Sequence, residues 1–320
     1  MDFERPRIVV SACLNFKKCR YDWQKIRNNF IEELEKECDI EIICPEEAIW
    51  LWTPRLPIRM INKWWKLILE EIKTDNDYTE KMQTFSERFI SKLWQIDWAI
   101  LKSKSPSCWL WWVKIHNWAN WLENLENLRS GFFAKNMIKN YPNIPKEDEW
   151  RLLNFKIRNS FLTSIFTIAE FREVKKANNK SSYIAFQSKN KYLFMSLSPA
   201  LLKKMWQILW WKEFSEKEKE EYENLFFEII NKNWSKPWFI NTVEHVYGYF
   251  KDRINKDEKN LFLQNMQYFK EWKIPSHVIV SELKMWAERF NEPYLKNQSF
   301  LYPYPDTLID LSDSWKKINI

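Results

Sequence analysis

Five cysteines, at positions 13, 19, 38, 44 and 108, are the residues best equipped for chemistry in this 320-residue sequence. Cys13 follows the apolar run RIVVSA (7–12), Cys44 lies within EIICPEEA (41–48), and Cys108 closes WAILKSKSPSC (98–108). Each of the three reads as the residue just past a buried strand. A parallel sheet gathers such ends at one edge, although 31 and 64 residues separate the cysteines. An iron–sulfur cluster held by only three thiolates leaves one iron open to an external ligand. An open iron is a soft acid suited to a sulfur leaving group. Glu46 stands two residues beyond Cys44, and Ser103, Ser105 and Ser107 alternate before Cys108. A carboxylate beside such a centre can act as general base for water, and hydroxyls can orient a base carbonyl or relay a proton. Spacing alone leaves the plainer alternative open. No compact C-x-x-C occurs, and cysteines buried as small apolar groups are the ordinary case, which Cys19 and Cys38 fit well. By the same token Glu46 reads as a solvated loop residue and the serines as turn caps around Pro106.

The elements that must position these residues alternate in type. Between the first two apolar runs, residues 23–38 place Ile26, Phe30, Ile31 and Leu34 at helical spacing, and residues 79–94 form a second amphipathic helix before the third strand. Strand–helix–strand alternation predicts an α/β domain with a mostly parallel sheet and its site at the strand ends. From about residue 151 the pattern becomes helical throughout, over 151–178, 198–211, 215–233, 239–255, 257–271 and 275–291. The polar, proline-punctuated stretch PNIPKEDE (142–149) is the expected boundary, dividing an α/β domain over 1–145 from an all-α domain over 150–320.

Composition narrows the function classes. No apolar run approaches the roughly 18 residues that a membrane span needs, and MDFERPRIVV carries charges where a signal peptide has an apolar core, so a cytoplasmic protein without membrane partners is expected. Disulfides are rare in that compartment, which favours thiols or metal ligands. Residues 1–150 hold 23 basic and 23 acidic side chains, and 151–320 hold 27 and 20, so the net charge of +7 resides in the helical half. Such a division suits polyanion binding beside neutral chemistry, although an ordinary solvated surface gives the same count. His116, His245 and His277 are scattered without ligand spacing, and no phosphate-cradling glycine loop is present.

The chain contains 2 glycines and 21 tryptophans. Average usage would give about 22 glycines, so the two counts read as exchanged. Trp50, Trp52, Trp109, Trp111 and Trp112 all stand where a tight backbone calls for glycine. A gene using UGA for glycine, translated with UGA as tryptophan, produces this pattern. The alternative is a tryptophan-rich chain with stacking platforms for bases.

Three segments, SACLNFKKCRYD (11–22), ICPEEAIWLWTPRLPIR (43–59) and KSKSPSCWLWWVKI (102–115), resemble the thiouracil desulfurase family. With glycine for tryptophan the last two become CPEEAIGLGTPRLPIR and SPSCGLGGVKI, closer still to the family pattern. FQSKNKYLFMSLSP (186–199), EHVYGYFKDRI (244–254) and YLKNQSFLYPYP (294–305) resemble the helical partner domain fused to desulfurases in some bacteria. The resemblance implies a [4Fe-4S] cluster on Cys13, Cys44 and Cys108, assisted by Glu46 and Ser105; Ser103 and Ser107 are the hydroxyls expected to bind the substrate. It implies replacement of sulfur by water on a thiouracil-type base without net redox change. The fused domain implies tRNA as partner and its 4-thiouridine as substrate. A non-catalytic tRNA-binding protein with a structural cluster is the alternative, for which four cysteine ligands would be expected. Gln187, Asn190 and Leu197 stand where the partner domain tends to carry histidines.

Overall fold

The computed structural model describes residues 2–93, 95–117, 124–210 and 214–311. The chain forms two compact units, one of residues 4–169 joined by the segment from 306, the other of residues 170–305 with 1–3.

The first unit contains β1 (Arg7–Ser11), α1 (Asn29–Glu37), β2 (Asp39–Ile43), α2 (Pro45–Ala48), β3 (Ile58–Lys63), β4 (Lys66–Glu71), α3 (Thr79–Lys92), β5 (Trp98–Leu101), β6 (Val113–Asn117), β7 (Asn124–Arg129), α4 (Phe132–Asn140) and β8 (Lys146–Asp148). One sheet has the order β2-β1-β5-β8 with every pairing parallel, as the apolar runs predict. Val10 of β1 lies opposite Ile42 of β2 and Ile100 of β5. Strands covered on both faces need continuous apolar runs, which is why IVV and WAIL read so plainly. The stretch 142–149 supplies β8, whose Lys146 pairs with Ala99.

A second sheet, β4-β3-β6-β7, is mixed: β3 pairs antiparallel with β4 and parallel with β6, and β6 pairs antiparallel with β7. Sequence reasoning missed it. The β3–β4 hairpin turns on Trp64 and Trp65, both at positive φ (51° and 65°). Two central residues of positive φ make the type I′ hairpin turn, whose usual signal is Asn-Gly or Gly-Gly, so the signal is hidden here. Val9, Ala99 and Leu101 of the first sheet share one core with Met60, Leu69 and Ile115 of the second, and Met82, Phe133 and Met137 of α3 and α4 close it.

Helix α1 starts later than its apolar spacing suggests. Asn28 caps it, accepting from Ile31 N at 3.3 Å, and the Asn28 N–H donates to Asn15 Oδ1 at 2.7 Å. Residues 12–28 are thereby tied back against the end of β1, with Ile26 N donating to Cys13 O at 2.8 Å.

α5 (Phe155–Ala177) crosses from the first unit into the second, which continues through α6 (Lys180–Lys189), α7 (Lys191–Leu197), α8 (Pro199–Trp210), α9 (Glu216–Ile230), α10 (Lys236–Tyr247), α11 (Lys256–Lys270), α12 (Ser276–Arg289) and α13 (Pro293–Lys296). The mostly helical second half agrees with the sequence. Two starts are capping boxes, Ser215 with Glu218 and Asn255 with Glu258, each satisfying backbone donors reciprocally. Phe171, Phe186, Phe194 and Phe226 build an aromatic core, with 4.2 Å between the rings of Phe171 and Phe226. Gln187 and Asn190 are wholly buried beside it: Tyr222 Oη donates to Gln187 Oε1 at 2.6 Å, and Asn190 Nδ2 donates to Phe186 O at 3.0 Å. Among the described residues no helix is long and apolar enough to cross a membrane.

Candidate metal centre and its carboxylate

The parallel register places Ser11 opposite Ile43 and Val10 opposite Ile100, so β1, β2 and β5 end side by side. Cys13, Cys44 and the loop 102–108 follow directly. Cys44 is the N-cap residue of α2, with Pro45 at the first helical position and Glu46 and Glu47 in the first turn. Proline suits that position because its missing N–H would have no helical partner, and the two carboxylates favour the positive end of the helix dipole.

The loop carrying Cys108 is held by α4. Phe133 N and Ala134 N donate to Ser107 O at 3.0 and 3.1 Å, and Phe132 N donates to Pro106 O at 3.2 Å. Gly131 permits this approach, since a Cβ there would lie 2.5 Å from the carbonyl carbon and oxygen of Ser107. Ser105 Oγ accepts from Ser107 N at 3.2 Å and Cys108 N at 3.1 Å, closing the turn around Pro106. The hydroxyls of Ser105 and Ser107 donate to the same oxygen of Glu46, Oε1, at 3.4 and 3.1 Å. The turn-cap role noted for these serines is therefore present at Ser105, whose hydroxyl also reaches Glu46.

The other Glu46 oxygen pairs with Arg55. Arg55 is buried and also donates to Leu51 O at 3.1 Å and Cys19 O at 3.0 Å. Burial works against its charge, but Glu46, with Cys44 and Cys19 nearby, more than offsets this and the guanidinium holds its proton above its usual range. Ser103 is engaged elsewhere. Its Oγ donates to Glu149 Oε1 at 2.7 Å and its N–H to Oε2 at 2.8 Å, with Lys102 paired to the same carboxylate.

The thiols form a chain of neighbours. Cys19 Sγ and Cys44 Sγ lie within 4.8 Å of each other, and Cys44 Sγ reaches Cys19 O at 3.9 Å. Cys108 lies within electrostatic range of Cys44 and Glu46, and its N–H donates to Ser105 Oγ. The neighbouring Cys13 leads in pushing the Cys19 thiol up to about 12, against an opposing effect from Cys44. Cys44 is raised by its contact with Cys19, then by burial and Glu46; Cys108 is raised by burial, then by Glu46. Without a cation these groups stay protonated, and metal binding must expel their protons. Among the described residues Cys19, Cys44 and Glu47 have ligand atoms within 4.8 Å of one another. Soft sulfur donors with an adjacent buried cation to offset anionic charge are a set that fits an iron–sulfur centre.

Cys19 and Arg55 escaped the sequence reading, in which Cys19 counts as a packed apolar group. Cys19 belongs to no strand end; the fold-back of residues 12–28 brings it in, and the one available signal is its position six residues after Cys13 within FKKCRYD. Cys38 keeps the packed reading. It is buried, and burial leads in raising its thiol, with Arg5, Glu37, Asp39 and Asp97 as charged neighbours.

Residues 8–149 match the family 2-thiouracil desulfurase, and residues 191–305 match the family of proteins of unknown function DUF1722. A solved structure titled "[4Fe-4S]-dependent thiouracil desulfidase TudS (DUF523Vcz)" is 25% identical, covering 49% of this chain and 99% of its own with a TM-score of 0.37. No curated protein matches the chain. The chain is thus similar to the 2-thiouracil desulfurase family over residues 8–149 and to DUF1722 proteins over residues 191–305.

Proposed function

We propose that the first domain holds a [4Fe-4S] cluster on Cys13, Cys44 and Cys108 and removes sulfur from thiouracil-type bases, with 4-thiouridine in tRNA as the substrate of the full chain. When bound, such a cluster supplies a soft iron able to take up the leaving sulfur. This chain's own residues handle water and protons. Glu46 is the general base: Arg55 fixes one carboxylate oxygen, and the other accepts from Ser105 and Ser107, leaving it facing the cysteine loop. Ser105 and Ser107 orient that oxygen and pass its proton on. Water supplies the oxygen that replaces sulfur on the base, and sulfide leaves, with no electron gained or lost. Ser103, bound to Glu149, shapes the loop from behind.

The observation that carries this is the junction of Cys44, Cys108 and Glu46 at the carboxyl ends of parallel strands within a region similar to the desulfurase family. Support for a polyanionic substrate comes from the charge of residues 151–320, which hold 27 basic and 20 acidic side chains. The same basic half favours a second reading, tRNA binding without catalysis. Anaerobically reconstituted protein incubated separately with 2-thiouracil, 4-thiouridine and thiolated tRNA separates the two. Sulfide is expected from at least one, with the highest rate on thiolated tRNA; salt-sensitive tRNA binding with no sulfide from any of them leaves only the second reading.

A further inference from the structure

We propose that Glu149 is a positioning residue for the reaction: by anchoring Lys102 and Ser103 it sets where Ser105 stands against Glu46. The proposal rests on the reading of Glu46 given above and deepens it. The sheet itself brings Glu149 to the loop. In the parallel pairing of β5 with β8, Leu101 lies opposite Asp148, so the next residues along, Lys102 and Glu149, leave their strands side by side. Lys102 N donates to Ser11 Oγ at 2.9 Å. The Lys102 ammonium pairs with Glu149 and donates to Ser103 O at 2.9 Å and Ser103 Oγ at 3.0 Å. Glu149 accepts the Ser103 hydroxyl on Oε1 at 2.7 Å and the Ser103 N–H on Oε2 at 2.8 Å. Glu149 is 8% exposed and Ser103 6%, so little water competes for these contacts. Hydrogen bonds to an ionised acceptor are about twice as strong as neutral ones, so the carboxylate, more than the Ser103 hydroxyl, is the anchor.

The loop 102–108 therefore has a clamp at each end. At the Cys108 end, α4 holds Pro106 O and Ser107 O through Phe132 N, Phe133 N and Ala134 N. At the other end stands Glu149. Between them the hydroxyls of Ser105 and Ser107 reach Glu46 Oε1, and the Ser105 bond is the longer, at 3.4 Å. A bond of that length is near its limit, so a small outward shift of Ser105 breaks it. Lys104, between the anchor and Ser105, has φ 60°. A lysine enters this left-handed region at a cost, and such a backbone persists where its surroundings over-determine it. Glu149 on one side, and on the other the turn in which Ser105 Oγ accepts from Ser107 N and Cys108 N, supply that hold. Freed from Glu149, residues 102–104 relax and Ser105 leaves Glu46, while α4 keeps Cys108 in place. Turnover is lost and the metal site is kept.

Amide hydrogen exchange on the apo-proteins tests this without a metal. The reporters are Ser103 N, held by Glu149, and Ser107, Cys108 and Trp109 N, held by Ser105. In Glu149→Gln, residues 102–109 are expected to exchange at least about tenfold faster than in wild type, as befits the loss of hydrogen bonds to a charged group. Glu149→Asp, which keeps the charge but falls short of Ser103, should show the same local rise in milder form. Glu147→Gln breaks a partly buried pair with Arg151 from the same strand and should leave the loop unchanged. Lys102→Met/Glu149→Gln, which leaves no unpaired charge, should recover most of the protection. In iron-loaded protein, Glu149→Gln should lower kcat for sulfide release at equal iron content with KM unchanged, and the double variant should restore part of it.

Unchanged exchange over 102–109 in both Glu149 variants overturns the proposal, as does an equal rise across β1 and β5, which marks a general loss of stability. Wild-type kcat per iron in Glu149→Gln overturns it as well and keeps the desulfurase reading. A rise confined to 102–109, in a chain whose wild type releases no sulfide, supports Glu149 as the anchor of Ser105 and removes that reading.

Discussion

Replacing Arg55 by Met isolates the ion pair on which the placement of Glu46 depends. The Arg55 and Glu46 side chains are 5% and 15% exposed, so neither charge is well solvated if its partner is removed. Breaking a buried pair from one side costs about 3–5 kcal/mol. Glu46 keeps two hydroxyl donors and some solvent, which sets the expectation at the lower end, about 3 kcal/mol. Against a domain stability of about 5–15 kcal/mol that is a large shift. Arg55→Met, Glu46→Gln and the double variant, unfolded in urea as apo-proteins, form a cycle in which midpoints move at constant slope. The double variant should be more stable than the sum of the single losses implies, by about 1–3 kcal/mol, because no unpaired charge remains. Sulfide release by Arg55→Met falls, and Arg55→Lys restores only part of it, since an ammonium replaces the charge but not the forked contact to Glu46 and two carbonyls. Single losses below about 1 kcal/mol that simply add would refute the buried pair as the device that aims Glu46.

Three further outcomes follow from the same geometry. Ser107→Ala removes a donor to Glu46 Oε1 and should slow sulfide release with little change in KM, whereas Ser103→Ala, which leaves Glu149 short of a partner, should show mainly as a loss of about 1–3 kcal/mol in urea unfolding. Gly131→Ala forces a Cβ to within 2.5 Å of the Ser107 carbonyl, so it is expected to lower both stability and cobalt uptake at Cys108, read by urea titration and the sulfur-to-cobalt charge-transfer band. Burial lowers Lys146 from 10.5 to about 8. The unfolded chain therefore binds more protons between those values, and stability should climb as pH rises through that window; Lys146→Met should lack this component of the slope in urea melts at pH 8 and 10.

How far the site could be read from sequence depended on which force fixed each residue. Cys13, Cys44 and Cys108 follow apolar runs that have to be strands, and parallel pairing then brings them to one edge. Glu46 and Ser105 were legible because they neighbour those cysteines in the chain. Cys19 and Arg55 arrive through the fold-back of residues 12–28 and the path of residues 49–57, where hydrogen bonds such as Asn28 N to Asn15 Oδ1 decide the course and no periodicity records them. Ser103, Ser105 and Ser107 look equivalent in sequence, yet Glu149 engages Ser103 from 46 residues away. In the fold, the first sheet and helices such as α9 and α11, with their capping boxes, were legible. The hairpin of the second sheet was not, because its turn residues are written as Trp64 and Trp65, and α6 was not, because the face it buries, Tyr183, Phe186 and Gln187, includes a polar residue and leaves too few apolar positions in KSSYIAFQSK to show a period.

The central claim is that the cysteine-lined junction beside Glu46 performs sulfur-for-oxygen exchange on a thiolated base. Its most direct test is sulfide release from thiolated tRNA, 4-thiouridine and 2-thiouracil by anaerobically reconstituted wild type, Cys108→Ala and Glu46→Gln, without added reductant. Wild type should release one sulfide per base converted, Cys108→Ala none, and Glu46→Gln should be slower by about 10²–10⁴-fold at equal iron content. Iron-loaded wild type that releases sulfide from none of the three, or Cys108→Ala that matches wild type, would contradict it.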